Sequence, residues 1–210
     1  MLIDRVYAPF SRYFRRSRMR LFVSAFKITD ETRIIDVGGT LFNWKLIDKV
    51  PKLTIVNVDI EEHVEDNATF MRADGRSLPF PDNAFDIAYS NSVIEHVGDW
   101  EAKEAFAREI RRVANGYFVQ TPNFYFPLDQ HLFTPLTHFL PKSILKKVLR
   151  NGTVLGWLVR PTPEVVEWIV NATSLLSISD MRKLFPDAEF HRERFLGMTK
   201  SIVAIGGRQT

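Results

Sequence analysis

Between residues 33 and 123 the chain alternates short β-branched or aromatic runs with turns and one strongly amphipathic stretch, a pattern that restricts it to a parallel sheet flanked by helices. Residues 33–37 read as a first strand ended by Gly38-Gly39, residues 53–59 as a second, 69–72 as a short third and 85–89 as a fourth. Each run is mostly apolar, as a strand covered on both faces must be. Residues 99–114 place Trp100, Phe106, Ile110 and Val113 on one helical stripe, closed by Asn115-Gly116, and 117–120 read as a fifth strand.

Beyond that point Pro122, Pro127, Pro135 and Pro141 predict an irregular insertion over 121–140, within an acceptor-side segment spanning 121–172. Residues 164–171 and 179–185 predict helices, the second capped by Ser179 and stopped by Pro186. Residues 188–194 and 200–205 predict two strands joined by a turn at Gly197, hence antiparallel. With 210 residues, no linker and no internal repeat, the expectation is a single domain over 1–210.

The chain has no cysteine, which excludes disulfides, thiolate metal sites and a cysteine nucleophile. No uncharged apolar run is long enough to span a bilayer, and Asp4 and Pro9 interrupt the place where a signal peptide needs an apolar core, so a cytoplasmic location is expected. The net charge of +3 is concentrated at the start, where residues 1–20 carry six arginines against Asp4. A basic face confined to one segment is not a nucleic-acid footprint, so no nucleic-acid partner is expected. Residues 1–30 read instead as a basic helical or lid segment, with Leu2, Ile3, Val6, Tyr7 and Phe10 preceding interleaved arginines and aromatics. Two fates fit this pattern: a helix packed over the ligand cleft with a solvated arginine face, or peripheral contact with an anionic membrane surface at the inner membrane face.

The chemistry is carried by three turns. Asp36-Val37-Gly38-Gly39-Thr40 follows the first strand, Asp59 ends the second and lies twenty-three residues after Asp36, and Asp74-Gly75 follows the third. A nucleoside ligand needs these: glycine where it approaches the backbone, a carboxylate for ribose hydroxyls, and a polar group for the base.

These residues resemble the class I S-adenosylmethionine-dependent methyltransferases, in the small-molecule branch related to the ubiquinone and menaquinone biosynthesis enzymes. The resemblance is carried by Ala73-Asp74-Gly75-Arg76-Ser77-Leu78-Pro79-Phe80-Pro81-Asp82-Asn83-Ala84-Phe85-Asp86, then Ser92-Val93-Ile94-Glu95-His96-Val97 and Thr121-Pro122-Asn123, and resumes over 179–205. It implies an α/β, Rossmann-like doubly wound sheet, mostly parallel and seven-stranded, with a C-terminal antiparallel hairpin and strand order 3-2-1-4-5-7-6. It also implies S-adenosylmethionine as cofactor, with Gly38 and Gly39 beside its methionine part, Asp59 at the ribose, Asp74 and Gly75 flanking the adenine and Asn91 facing the sulfonium. Ile60 joins the candidate cofactor-binding residues, as does Asp36, whose carboxylate has an equal structural reading as an acceptor for backbone groups of the turn. The acceptor implied is a small molecule, with a lipid-linked or quinone-like one suiting a membrane-contacting segment.

Glu95 and His96 are the candidate catalytic pair, since a neutral imidazole can orient an acceptor or take its proton. Tyr125, Asp129 and His131 are candidate acceptor-pocket residues, while Trp157 and Trp168 read as core or lid packing. No metal site is expected, because only Glu95 and His96 stand out as ligands and Ser92 occupies the place where some metal-using relatives carry a further carboxylate. The glycine turn departs from the family pattern, with Thr40, Leu41 and Phe42 where further glycines stand. That crowding keeps two alternatives open: a nicotinamide-dependent oxidoreductase on a similar fold, and a methyltransferase-like binding module without turnover.

Overall fold

A computed structural model describes residues 2–49, 51–129 and 131–207, with side chains described from residue 10 onward. The strands are β1 (Arg33–Val37), β2 (Lys52–Asn57), β3 (His63–Glu65), β4 (Ala68–Arg72), β5 (Phe85–Asn91), β6 (Ala114–Pro122), β7 (Leu128–Asp129), β8 (Thr134–Pro135), β9 (Glu189–Phe195) and β10 (Met198–Gly206). Eight of them form one sheet in the order β3-β4-β2-β1-β5-β6-β10-β9. The pairs from β4 through β6 are parallel, and β10 runs antiparallel to both β6 and β9. The predicted seven-strand order is therefore present, with β3 added antiparallel at one edge. Residues 63–65 are exposed throughout, so no apolar run announced that edge strand.

Period-two alternation sends neighbouring strand residues to opposite faces. Ile35, Val37, Val56 and Ala88 join one core with Phe106 and Ile110 of α3 (Trp100–Val113) and Met181 and Leu184 of α7 (Ile178–Leu184). Ile34, Ile55, Ile87, Tyr89 and Phe118 join the other core, which is closed by Met19, Phe22 and Phe26 of α1 (Leu2–Ala25) and by Trp44 of the short α2 (Leu41–Trp44). Phe22 is fully buried, with its ring centroid 5.1 Å from Tyr89, 5.3 Å from Phe118 and 5.8 Å from Trp44, all edge-on. Its burial alone stabilises by about 2–3 kcal/mol. The β1–β2 crossover holds only the four-residue α2, and the β2–β4 segment carries β3 in place of a helix, so α1 covers this face.

Two boundaries differ from the sequence reading. Helix α3 does not close on an Asn-Gly cap, because Ala114 is already extended, with φ −139° and ψ 151°, and enters β6 at once. Helix α7 is capped by Ser177 rather than Ser179: Ser177 accepts from the Asp180 amide, while the Asp180 carboxylate accepts from the Ser177 amide. The reciprocal box satisfies two orphan donors at once, which a cap at Ser179 would not.

The insertion leaves and rejoins the sheet at one place, where Asn123 bridges Leu176 and the Phe124 amide donates to the Leu176 carbonyl at 2.9 Å. Between these points lie the β7–β8 ribbon, α4 (Lys142–Gly152), α5 (Val154–Val159) and α6 (Pro163–Ala172). Leu132, Leu145, Leu149, Val166 and Val170 form a small core of its own. Trp157 and Trp168, expected as packing residues, are 63% and 70% exposed, because the helical face that buries Val166 and Val170 turns Trp168 outward. Among the described residues no helix is long and apolar enough to cross a membrane.

Candidate active site

The carboxyl ends of β1, β2, β4 and β5 meet around a cleft of about 460 Å³. Val37 and Gly38 line it from the first turn, Asn57 and Val58 from the second, Asp74 and Gly75 from the third, and Ser92, Val93 and His96 from the fourth. Gly38 has φ +79°, a left-handed conformation, and a methyl group built on it would stand 2.5 Å from a Val93 methyl. Glycine is thus required there by the backbone and by the close packing of the fourth turn. Neither Leu41 nor Phe42 enters the cleft. Thr40 caps α2, Leu41 packs with the α1-side core, and Phe42 turns outward beneath the Arg15 guanidinium, 5.2 Å from its ring centroid.

Four of the expected cofactor residues, Asp36, Gly39, Ile60 and Asn91, lie away from this cleft. Asp36 is fully buried on the α1 side, where one carboxylate oxygen accepts from Trp44 Nε1 at 2.8 Å and the other has no hydrogen-bond partner. Strand parity explains this: Val37 faces the cleft side, so Asp36 must face Trp44. Burial pushes its carboxyl up to about 7, against the Trp44 hydrogen bond that lowers it. Gly39 lies beside that carboxylate, where a methyl group would fall 2.0 Å from Asp36 Oδ2. Ile60 packs toward the α1-side core and its carbonyl accepts from Arg72 Nε at 3.3 Å. Asn91 accepts from the Arg18 guanidinium and borders a separate polar pocket.

Asp59 is exposed in the turn after β2, next to Asn57 and Val58, which do border the cleft. Asp74 reaches the cleft with its carboxylate gripped by Arg76, at 2.6 Å for Nη2 and 3.0 Å for Nε. The Arg76 hydrogen bonds hold its carboxyl below the ordinary range. Sequence reasoning missed Asn57, Val58, Ser92 and Val93. Their position at or just past a strand's carboxyl end was the available signal, since ligands of open α/β sheets sit at those ends.

The fourth turn carries the titratable cluster. Glu95 is 1% exposed; its Oε2 accepts from Thr121 Oγ1 at 3.0 Å and its Oε1 has no hydrogen-bond partner. Burial raises the Glu95 carboxyl, opposed by His96 and His131. His96 Nδ1 lies 3.0 Å from the Ala172 carbonyl, an acceptor only, so Nδ1 carries the proton and Nε2 is bare in the neutral ring. Nε2 stands 4.0 Å from Glu95 Oε1 and 3.3 Å from Nε2 of His131. His131 comes from the insertion, thirty-five positions away, and its Nδ1 lies 3.5 Å from Asp129 Oδ1. Asp129 is buried, which acts to raise its carboxyl, but hydrogen bonds from His131 and Leu132 outweigh this and hold it low. The third candidate of the insertion, Tyr125, is 67% exposed and takes no part.

Behind the cluster lies a polar pocket of about 160 Å³, bordered by Arg18, Asn91, Glu95, His131 and Lys200, and sharing Ser92 with the larger cleft. On its other side His131 also borders an apolar pocket of about 200 Å³ formed with Phe124, Leu145, Ile169 and Val170. Helix α1 therefore reaches the polar pocket through Arg18, and none of its described side chains lines the larger cleft. Its exposed Arg12, Arg16 and Arg20 border an open basic cavity of about 1170 Å³ beside Phe42.

Residues 36–119 match the profile of a family described as "Methyltransferase domain". No curated protein matches the chain. Among solved structures, a methyltransferase dependent on S-adenosylmethionine from Aquifex aeolicus aligns at 13% identity over 90% of this chain and 87% of its own, with a TM-score of 0.50. A phosphoethanolamine N-methyltransferase from Haemonchus contortus, solved with S-adenosyl-L-methionine, aligns at 11% identity over 84% of this chain and 38% of its own, with a TM-score of 0.55. A chain from Rhodobacter sphaeroides named as a Zn-dependent alcohol dehydrogenase aligns at 11% identity over 92% and 90%, with a TM-score of 0.58. At such identities these likenesses establish the fold alone. The matched profile spans all four turns of the cleft, so residues 36–119 carry an S-adenosylmethionine-dependent methyltransferase domain. S-adenosylmethionine is the methyl donor typical of that family. The cleft fits it: its volume lies within the ~300–1,000 Å³ of small-molecule sites, apolar Val37, Val93 and Phe106 face polar Asn57, Asp74 and Ser92, and Gly38 leaves the backbone open.

Proposed function

We propose that this chain methylates an oxygen-bearing small molecule with a polar head and an apolar body, of the lipid-linked or quinone-like kind found in the ubiquinone and menaquinone branch. The observation that carries the reading is the position of His131, on the common border of a polar pocket and an apolar one, with His96 leading from there into the donor cleft. An acceptor laid across that border would bury its ring or chain among Phe124, Leu145, Ile169 and Val170 and bring its head to Glu95 and His96.

S-adenosylmethionine supplies a methyl group already activated on a sulfonium. The protein's part is alignment and exclusion of water. Gly38 would lie nearest the methionine part, Asn57 and Val58, with Asp59 at their margin, beside the ribose, and Asp74 and Gly75 beside the adenine. The bare Nε2 of His96 accepts a hydrogen bond from an acceptor hydroxyl, and the buried Glu95 holds the polar environment of that contact. Exposed Arg12, Arg16 and Arg20 support peripheral contact with an anionic membrane at its inner face, where such an acceptor resides.

The test is transfer of labelled methyl from S-adenosylmethionine into separated lipid and aqueous cell extracts. Label in the lipid fraction, reduced by Leu145→Lys, supports the reading. Label in the aqueous fraction alone rejects a lipid-linked acceptor. Cofactor heat in calorimetry without label in either fraction identifies a binding module.

A further inference from the structure

Two imidazole nitrogens 3.3 Å apart, His96 Nε2 and His131 Nε2, face one another beside a buried carboxylate oxygen that nothing satisfies. The outer partners of both rings decide what these nitrogens are. The Ala172 carbonyl can only accept, so it fixes the His96 proton on Nδ1. The Asp129 carboxylate, lying toward Nδ1 of His131, favours the proton there as well. Both Nε2 atoms then present lone pairs to the same point. Two lone pairs in opposition repel, and Glu95 Oε1, with no hydrogen bond and no water-exposed face, adds an uncompensated acceptor to the same place. Three acceptors without a donor are stable only if a cation or a shared proton lies among them.

We propose that Glu95, His96 and His131 bind a divalent transition-metal cation through Glu95 Oε1 and the two Nε2 atoms, at the junction of the donor cleft and the polar pocket. The three ligand atoms lie within 4.8 Å of one another, a spread that a cation bound at about 2.0–2.2 Å from each ligand can close with small side-chain rotations. Two histidines and one carboxylate on one side of an ion form the donor set of borderline metals such as Zn²⁺, Mn²⁺, Fe²⁺ and Co²⁺, and leave positions open on the other side. The supporting contacts have the form of a metal site: carboxylate behind one histidine, backbone carbonyl behind the other, and Thr121 Oγ1 donating to the second carboxylate oxygen. Residues 95 and 96 come from the turn after β5 and residue 131 from the insertion, so the ion would also fasten the acceptor-side segment to the sheet.

This inference rests on the proposed acceptor site only for its use: the open positions face the pocket assigned to the acceptor head, and an ion there would hold an acceptor oxygen in place of a direct His96 hydrogen bond. Its test does not need turnover. Tag-free full-length protein, treated with chelator and dialysed, is titrated with ZnCl₂ by calorimetry and with CoCl₂ by visible absorption, and separately with S-adenosylmethionine. One equivalent of metal is expected, with a d–d band whose intensity reports few-coordinate Co²⁺. His131→Ala and Glu95→Gln should each weaken binding by more than about 100-fold, and Asp129→Asn by ~10–100-fold, while His63→Ala, on the exposed edge strand, leaves it unchanged. His131 is partly exposed, so His131→Ala should keep its circular dichroism and its S-adenosylmethionine heat, which makes its loss of metal a loss of ligand. Absence of stoichiometric binding, or binding that survives both His131→Ala and Glu95→Gln, overturns the proposal and leaves a proton shared by the two rings. Metal binding without methyl transfer would uphold the metal site and remove the acceptor reading, and the reverse result would do the opposite.

Discussion

Arg18 and Glu193, 175 positions apart, meet at 2.9 Å with both side chains less than a tenth exposed, so the first helix and the penultimate strand are tied by a buried ion pair. Lys200 joins the same carboxylate at 3.4 Å; burial brings its ammonium down to about 8, against the Glu193 charge that raises it. Breaking a buried pair leaves an uncompensated charge and costs about 3–5 kcal/mol. Because Lys200 stays as a second partner, Arg18→Met is expected to cost less, about 2–3 kcal/mol, read from the midpoint of urea unfolding. A loss below about 0.5 kcal/mol would mean that the pair is solvated in solution.

Asp36 gives the protein an acid-side preference. Its carboxyl is raised from 3.8 to about 7. Below the lower value folded and unfolded chains are both protonated. Between the two the folded chain keeps a proton that the unfolded chain has released, so stability falls as pH rises, by up to about 1.4 kcal/mol per unit, and flattens above about 7. Asp36→Asn keeps an acceptor for Trp44 and carries no titration, so its melting temperature should fall less between pH 4 and 7 than that of the wild type. Parallel profiles for the two proteins would show that Asp36 is hydrated and titrates normally.

Gly38→Ala should damage the donor cleft more than the fold. The left-handed backbone and the Val93 contact together predict a cost of roughly 1–3 kcal/mol in stability, and the displaced turn should weaken S-adenosylmethionine binding in calorimetry. Unchanged affinity would place the methionine part of the donor elsewhere.

Ser177→Ala removes one arm of the box that starts α7, and loss of such a cap costs about 1 kcal/mol. Ser179→Ala, at the residue the sequence pattern favoured, should cost less than half as much. Denaturant midpoints of the two variants distinguish them directly.

The sheet was legible because its strands are apolar runs closed by turns, and an error of one or two residues at an end does not change their order. Side-chain direction was less so. Asp36 sits between Ile35 and Val37, and a strand apolar on both faces gives no alternation from which to read which face the acid takes. Asp74 and Gly75 line the cleft, as their place just past a short strand suggested, yet nothing in the local pattern says that Arg76 turns back onto the Asp74 carboxylate. The Glu95–His96 pair was recognisable from its turn, whereas its approach to His131 depends on how a proline-broken insertion folds over the sheet. That is a property of tertiary packing among Leu132, Leu145 and Val166, and no spacing rule reaches it.

The insertion departs at Asn123 and returns at Leu176, two residues that are already bridged, and it packs its own apolar centre in between. Such a segment can be exchanged like a cassette: its ends meet whatever is placed between them, and the donor half need not change to receive it. Evolution of a new substrate preference on this scaffold is therefore expected to proceed by replacing about fifty contiguous residues, with His131 and the Ala172 carbonyl, which both meet His96, among the contacts the two halves must still share.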